Sequence, residues 1–296
     1  MGLPQSMGAT VSHAVPGIWD ADPSEILRVR PGFVLADVRT NGTPGYSGDK
    51  KSAVAHLAEG AAVLDDLQEM FFANSRLGDE RKILLVLQAM DTAGKGGILR
   101  HVVGSVDPQG VQITAFKKPT PEELEHDFLW RVRPHAPTPG MIGVFDRSHY
   151  EDVLIGRVRE LASAEEIERR YDAINAFERE LVDDNTTVIK VMLHLGMDEQ
   201  KIRLQERLDR PEKHWKFNPG DIDERLLTPK YREAYQIVFD RTSTDAAPWR
   251  VIPADRKWYA RLAVQQLLID ALRDMNLSWP VADFDVQHEK ARLAES

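Results

Sequence analysis

The sequence has no cysteine in 296 residues. That excludes disulfides, thiolate metal sites and a cysteine nucleophile, and it fits a reducing compartment. No apolar run approaches the length needed to cross a bilayer, so no membrane partner is expected. The nine histidines show neither H-E-x-x-H nor another zinc spacing, which leaves them surface or core roles. A surplus of positive charge is also missing. The net charge of −9 argues against a general affinity for nucleic acid, so a polyanionic ligand would need a local basic tunnel. The first residues lack a charged segment followed by an apolar one, and the expected location is cytoplasmic.

What is present is an ordinary globular composition, 42% hydrophobic and 29% charged. The length suits one large α/β domain with an insertion. Residues 1–50, with many Gly, Pro, Ser and Asp, read as an extended, partly mobile N-terminal arm, and 51–296 as the domain. From Ser52 to Arg76 the apolar residues Val54, Leu57, Ala61, Leu64, Leu67, Met70 and Phe71 recur at helical spacing.

The chain is organised around Ile83 to Arg100. Five apolar residues, Ile83 to Leu87, lead through Gln88 to Gly94-Lys95-Gly96-Gly97 and the start of a helix. A strand, a glycine-bearing loop and a helix expose consecutive backbone N–H groups beside a lysine, an arrangement suited to a phosphate chain. The residues from Ala93 to Gly97 are the candidate phosphate-binding set. Against G-x-x-x-x-G-K-[ST], Ala89 replaces the first glycine and Gly96 the hydroxyl residue. Asp91 then becomes the candidate Mg²⁺ ligand. The alternative is a glycine-rich turn that binds nothing.

The remaining segments continue the pattern. The helix after the loop is expected to run to Val106. Strands are expected over Val111 to Phe116, Met141 to Phe145, Thr187 to Leu195 and Trp249 to Pro253. Helices are expected from Thr120 to about Arg133, Glu165 to Val182 and Ala254 to Asn276. The spacing of the first strands predicts a parallel five-stranded sheet flanked by helices, an α/β fold of three layers. Residues 197–240 are too many for a crossover and read as an inserted helical lid, with arms at Asp198–Arg210 and Ile222–Phe239 and a turn over Pro211–Pro219.

Ligands of open parallel sheets bind beyond the carboxyl ends of the strands. Asp146 and Arg147 end a strand there, where the acid can hold Mg²⁺ and the arginine can contact phosphate oxygens. An edge salt bridge is the other reading of that pair. Arg203, Arg207 and Arg210 share a face of the lid helix, either as arginine fingers or as a solvated face paired with Glu199 and Glu206. Lys117 and Lys118 follow a strand and are weighed evenly between the same mouth and the surface; Arg131 and Arg133 lie on different faces of their helix, one of them expected to reach a long anionic ligand, and Lys117 and Arg131 join the candidate phosphate-binding set.

The combination resembles the family-2 polyphosphate kinases. The matching segments are QAMDTAGKGG (88–97), FKKPTPEELEHDFLWR (116–131), FDRSHYEDVLIGRV (145–158), EQKIRLQERLDRPEKHWKF (199–217) and PWRVIPADRKWYAR (248–261). The resemblance implies a P-loop kinase-like fold with a lid. It also implies Mg²⁺ at Asp91 and Asp146, phosphate contacts from Lys95, and phosphate-chain contacts from Arg147, Arg203 and Arg207. QAMD and HDFLWR are similar to members that accept nucleoside monophosphates, or both mono- and diphosphates.

The implied activity is Mg²⁺-dependent, reversible transfer of a terminal phosphoryl between inorganic polyphosphate and a nucleoside mono- or diphosphate such as AMP, ADP or GDP. The same parts would serve an ATP-dependent nucleotide or nucleoside kinase. A non-catalytic nucleotide or polyphosphate-binding regulator is the third reading, and its mark would be loss of Asp91, Lys95 or Asp146, all of which are present. A homo-oligomer, dimer or tetramer, is expected from the polar arm and the long first helix.

Overall fold

Lys82–Ala89 is buried along all eight residues and forms strand β1. Its side chains alternate between two cores. Ile83, Leu85 and Leu87 belong to one apolar cluster, and Leu84 and Val86 to the other. A strand covered on both faces must be apolar at every step, which is why this run is continuous rather than alternating. The computed structural model describes residues 17–296, and every statement of structure refers to them.

Helix α1 (Pro23–Ile26) and the long α2 (Lys50–Ser75) precede β1. After it come α3 (Lys95–His101), β2 (Val111–Ala115), α4 (Pro121–Leu124), β3 (Ile142–Asp146), α5 (Glu151–Val158) and α6 (Ala164–Asp183). Strand β4 (Thr186–His194) is followed by α7 (Met197–Asp209), α8 (Gly220–Leu226) and α9 (Thr228–Thr242), then β5 (Trp249–Pro253), α10 (Lys257–Asp274) and α11 (Val286–Ala294). The strands form one sheet in the order β2-β3-β1-β4-β5, with every neighbouring pair parallel. The expected α/β sheet of five parallel strands is therefore present, with helices on both faces. Helices α2 and α10 pack on the first cluster. Helices α5, α6 and α9 pack on the second.

Local signals set several of these ends. Asp49 accepts from the Ser52 amide at the start of α2, and Ser163 accepts from the Glu166 amide at the start of α6, each satisfying an N–H that the helix leaves free. Residues 17–49, read as an extended arm, have little regular structure. They are tied down all the same: Leu27, Val29, Leu35 and Tyr46 are buried, and Val251 donates to the Leu27 carbonyl. The rest of that arm, residues 1–16, lies outside the described residues.

Three helices differ from expectation. The helix expected from Thr120 to Arg133 has its capping box at Thr120 and Glu123 but stops at Leu124. The chain then breaks into turns, with the Asp127 carboxylate accepting from the Leu129 amide, a local bond that competes with helix. Helix α3 ends at His101 instead of Val106, giving way to a 3₁₀ turn over Val103–Ser105. The returning arm of the lid is two helices, α8 and α9, because Thr228-Pro229 starts a new helix with its proline in the first turn. Helix α5 has no counterpart in the sequence reading.

Gly143, in the middle of β3, tests the packing. A Cβ there would sit 3.0 Å from Pro137 Cβ and 3.3 Å from two further atoms of the same rigid ring. Gly143→Ala is expected to destabilise by about 1–3 kcal/mol through overpacking, visible as a lower thermal midpoint.

His194, the last residue of β4, is 4% exposed. Burial, and then the nearby Arg232, push its imidazole down to about 4, with Asp255 opposing in part. The unfolded chain therefore takes up this proton before the folded one does. Stability from neutral His194 is complete above about 6.5 and is lost as pH falls toward 4, by up to about 3 kcal/mol. The thermal midpoint of His194→Gln is expected to fall less than that of wild type between pH 7 and pH 4.5.

Candidate active site

Strand β1 lies between β3 and β4, so three carboxyl ends deliver their loops side by side. Leu87 pairs with Asp146, and the Leu87 carbonyl accepts from the Arg147 amide at 3.1 Å. The loop after β1 is thereby set against the turn after β3. Ala89, where the phosphate-loop pattern has its first glycine, closes β1 as ordinary strand, so the missing glycine costs nothing. Positive φ is needed further on, at Thr92 (68°) and Gly94 (120°). No backbone carbonyl accepts from the amides of Gly94, Lys95 or Gly96 among the described residues, which leaves them available to an anion.

The loop borders a cleft of about 500 Å³. Among the described residues nine Lys and Arg side chains line it, against the acids Asp91, Asp146 and Glu206. Lys95 Nζ sits 3.5 Å from the Ala89 carbonyl, across the loop mouth. The crowding of cations is visible in their protonation. Burial and then Arg203 pull Lys257 and Arg261 below their ordinary ranges, and burial followed by Arg261 and Arg100 lowers His101. Such repulsion is relieved by a bound polyanion.

A second cleft of about 300 Å³ opens on the other side. Its lining differs in character: Met90, Leu154, Ile155, Tyr231 and Tyr235 with the acids Glu151, Asp221, Asp223 and Glu224. Asp91 and Arg147 line both clefts, and Arg147 Nη2 donates to Asp91 Oδ1 at 3.0 Å. This pair is the partition between them. Arg147 holds φ at 63°, an uncommon value for a residue with a side chain and one that recurs at functional turns. Glu151 accepts from Gln88 Nε2 at 3.3 Å, and burial raises its carboxyl, with Arg147 and Lys95 opposing.

Asp146 Oδ1 is buried without a hydrogen-bond partner. Asp146 also lines the basic cleft, and an orphaned carboxylate oxygen beside it fits a cation ligand. No group of three or more His, Cys, Asp or Glu is arranged around a metal position among the described residues. Two acids, Asp91 and Asp146, suit Mg²⁺, which takes one or two carboxylates and completes its shell with water and phosphate oxygens.

Helix α7 meets the site differently from expectation. Arg203 is 4% exposed and its guanidinium is fully engaged: Nη1 donates to the Thr92 and Ala93 carbonyls, Nη2 to those of Ala254 and Asp255, and Nε to Glu199. In this arrangement it clasps the phosphate loop to the end of β5. Gln200 Nε2 adds a bond to the Asp91 carbonyl at 3.2 Å. Arg207 donates to the Lys216 carbonyl and to Asp221, both at 3.0 Å, and lines the basic cleft with Lys213 and Lys216.

A sequence model of the polyphosphate kinase 2 family matches residues 48–280. The AMP/ADP-polyphosphate phosphotransferase of Meiothermus ruber is 43% identical over 255 residues, which cover 86% of this chain and 94% of that one. The chain belongs to the polyphosphate kinase 2 family. The ADP-polyphosphate phosphotransferase of Rhodopseudomonas palustris is 41% identical over 229 residues, covering 73% and 78%. The crystal structure of polyphosphate kinase 2 from Arthrobacter aurescens superposes with a TM-score of 0.92 at 57% identity, covering 94% of this chain and 98% of that one.

In this family member most of the candidate residues converge. Asp91, the Ala93–Gly97 loop, Asp146, Arg147, Arg203 and Arg207 all border the basic cleft. Lys117 and Arg131 do not. Strand β2 is an edge of the sheet, so Lys117 beyond it is carried away from the loop and is exposed. Arg131 is buried in structural contacts, donating to the Lys117 carbonyl and pairing with Glu123 and Asp152. Sequence reasoning missed Arg100, Lys257, Arg261 and Glu151. The signal for Lys257, Arg261 and Glu151 lay inside the matching segments, in ADRKWYAR and in the acid five residues after Asp146, and Arg100 follows the glycine-bearing loop three residues after Gly97.

Arg203→Lys keeps the charge but cannot serve four carbonyls at once. It is expected to lower the thermal midpoint by an amount equivalent to about 1–3 kcal/mol and to reduce turnover more than tenfold, roughly. A scan of both quantities checks this.

Proposed function

We propose that this chain transfers the terminal phosphoryl of inorganic polyphosphate to a nucleoside mono- or diphosphate, reversibly and with Mg²⁺. The observation that carries the reading is the meeting of two unlike clefts at Asp91 and Arg147. A long, uniformly anionic donor matches the cleft with nine cations, which extends well past the loop. An acceptor with a polar sugar and a flat base matches the smaller one, where carboxylates can take hydrogen bonds from hydroxyl and amino groups and Met90, Leu154 and the tyrosines offer apolar surface. The names of the two curated relatives support both substrates.

The chemistry asks little covalent work of the protein. The acceptor phosphate is already anionic, so alignment and charge neutralisation carry the rate. Lys95 and the free loop amides bind the donor's terminal phosphate. Arg147, at the junction, turns from Asp91 to the oxygens of the transferring group. Arg203 keeps the loop in place, and helices α7 to α9 act as the lid that excludes water. Asp91 and Asp146 would hold Mg²⁺, which when bound supplies charge neutralisation to the phosphate oxygens.

The test is product chromatography with purified protein, Mg²⁺ and long-chain polyphosphate, with AMP, ADP, GMP and GDP offered separately. Formation of the next higher phosphate is expected, with Lys95→Ala reduced by about a hundredfold or more. Reaction with ATP as donor but none with polyphosphate would overturn the reading.

A further inference from the structure

Beneath the turn that carries Asp146 and Arg147 lies a fully buried ionic hub that phosphoryl transfer does not directly use. Lys190 of β4 is 0% exposed and Glu178 of α6 is 2% exposed. Lys190 Nζ donates to Glu178 Oε2 at 2.6 Å, to the Thr242 carbonyl at 2.7 Å and to the Tyr150 hydroxyl at 2.9 Å. Three acceptors account for the three hydrogens of an ammonium. Tyr150 in turn donates to Glu178 Oε1 at 2.7 Å, and His149 Nε2 lies 3.5 Å from the same oxygen. Burial alone would raise the Glu178 carboxyl, but Lys190 and His149 outweigh it and hold it low.

The hub joins elements that must agree for the site to exist. Tyr150 caps α5 and ends the turn. Thr242 is the last residue of α9, the root of the returning lid arm, and its hydroxyl accepts from Trp249 Nε1 of β5 at 3.0 Å. The turn needs such an anchor. Arg147 sits at φ 63°, a left-handed conformation that is costly for a non-glycine residue and persists only where its surroundings over-determine it. One end of the turn is fixed by the bond from the Arg147 amide to Leu87. The other end is fixed by the Tyr150 side chain.

Buried charge pairs contribute little net stability and can often be replaced by apolar residues of similar size without loss. A fully satisfied one at this place therefore points to geometry. We propose that Tyr150, Lys190 and Glu178 are positioning residues for phosphoryl transfer, holding the 146–150 turn in the strained shape that presents Asp146 to the metal and Arg147 to the phosphate. This rests on the assignment of Asp146 and Arg147 to the reacting site.

Tyr150→Phe is the cleanest test, because the ring keeps its packing on Trp249 and His149 and only the hydroxyl is lost. Turnover per folded molecule, KM for both substrates, thermal midpoint and Mn²⁺ affinity of the substrate-free protein by electron paramagnetic resonance are measured. The expected result is a fall in kcat of roughly tenfold or more with KM values nearly unchanged, and Mn²⁺ affinity weakened severalfold. Lys190→Met/Glu178→Leu, which removes both partners of the Tyr150 hydroxyl, should show the same kinetic loss per folded molecule. If that double variant does not fold, Tyr150→Phe decides alone. Wild-type kcat per folded molecule, or wild-type Mn²⁺ affinity, in Tyr150→Phe would overturn the proposal, whatever the thermal midpoint does. Arg147→Ala, run alongside, separates the two claims: if it turns over like wild type, the site assignment fails instead of the hub.

Discussion

The hydrogen-bond register between β1 and β3 is the constraint on which the reacting site depends. Because Leu87 stands opposite Asp146, the loop from β1 and the turn from β3 leave the sheet at the same level. A slip of one residue would reverse every side chain in β1 between its two cores. The apolar run from Ile83 to Leu87 therefore does two things at once. It fills both faces of the sheet, and in doing so it sets where Asp91, Lys95, Asp146 and Arg147 can meet.

Electrostatics adds a second layer. A chain with a net charge of −9 concentrates cations in one cleft and keeps acids in the next. The cations repel one another across the basic cleft, and the protein holds them there with bonds that are indifferent to ligand. The Arg203 clasp on four carbonyls is the firmest of these. The Asp91–Arg147 pair is weaker, half-exposed and shared by both clefts.

The parts legible in the sequence are those encoded over short stretches. The glycine-bearing loop after β1, Asp146-Arg147 at a strand end, and helix α7 with the proline turn after it each announce themselves within about twenty residues, through apolar runs, glycine and helical spacing. Arg131 shows what such a reading does not contain. Its side chain is consumed by Glu123, Asp152 and the Lys117 carbonyl, a choice made by tertiary packing that no local pattern contains. Lys117 lies away from the basic cleft for a topological reason, since the strand order placing β2 at the edge is not written in the spacing of strands. The Lys190–Glu178 hub was equally hidden, because twelve residues of chain and the sheet itself bring the two together.

In the proposed reaction, donor and acceptor phosphates approach from separate clefts and meet at Asp91 and Arg147. A crystal structure with a non-hydrolysable methylene-bridged polyphosphate analogue, ADP and Mg²⁺ tests it most directly. The analogue's terminal phosphate is expected at Lys95 and the loop amides, the nucleotide among Leu154, Tyr231 and Tyr235, and Arg147 turned from Asp91 toward the phosphates. A nucleotide seated in the basic cleft with its phosphates on the loop, and the smaller cleft empty, would contradict it.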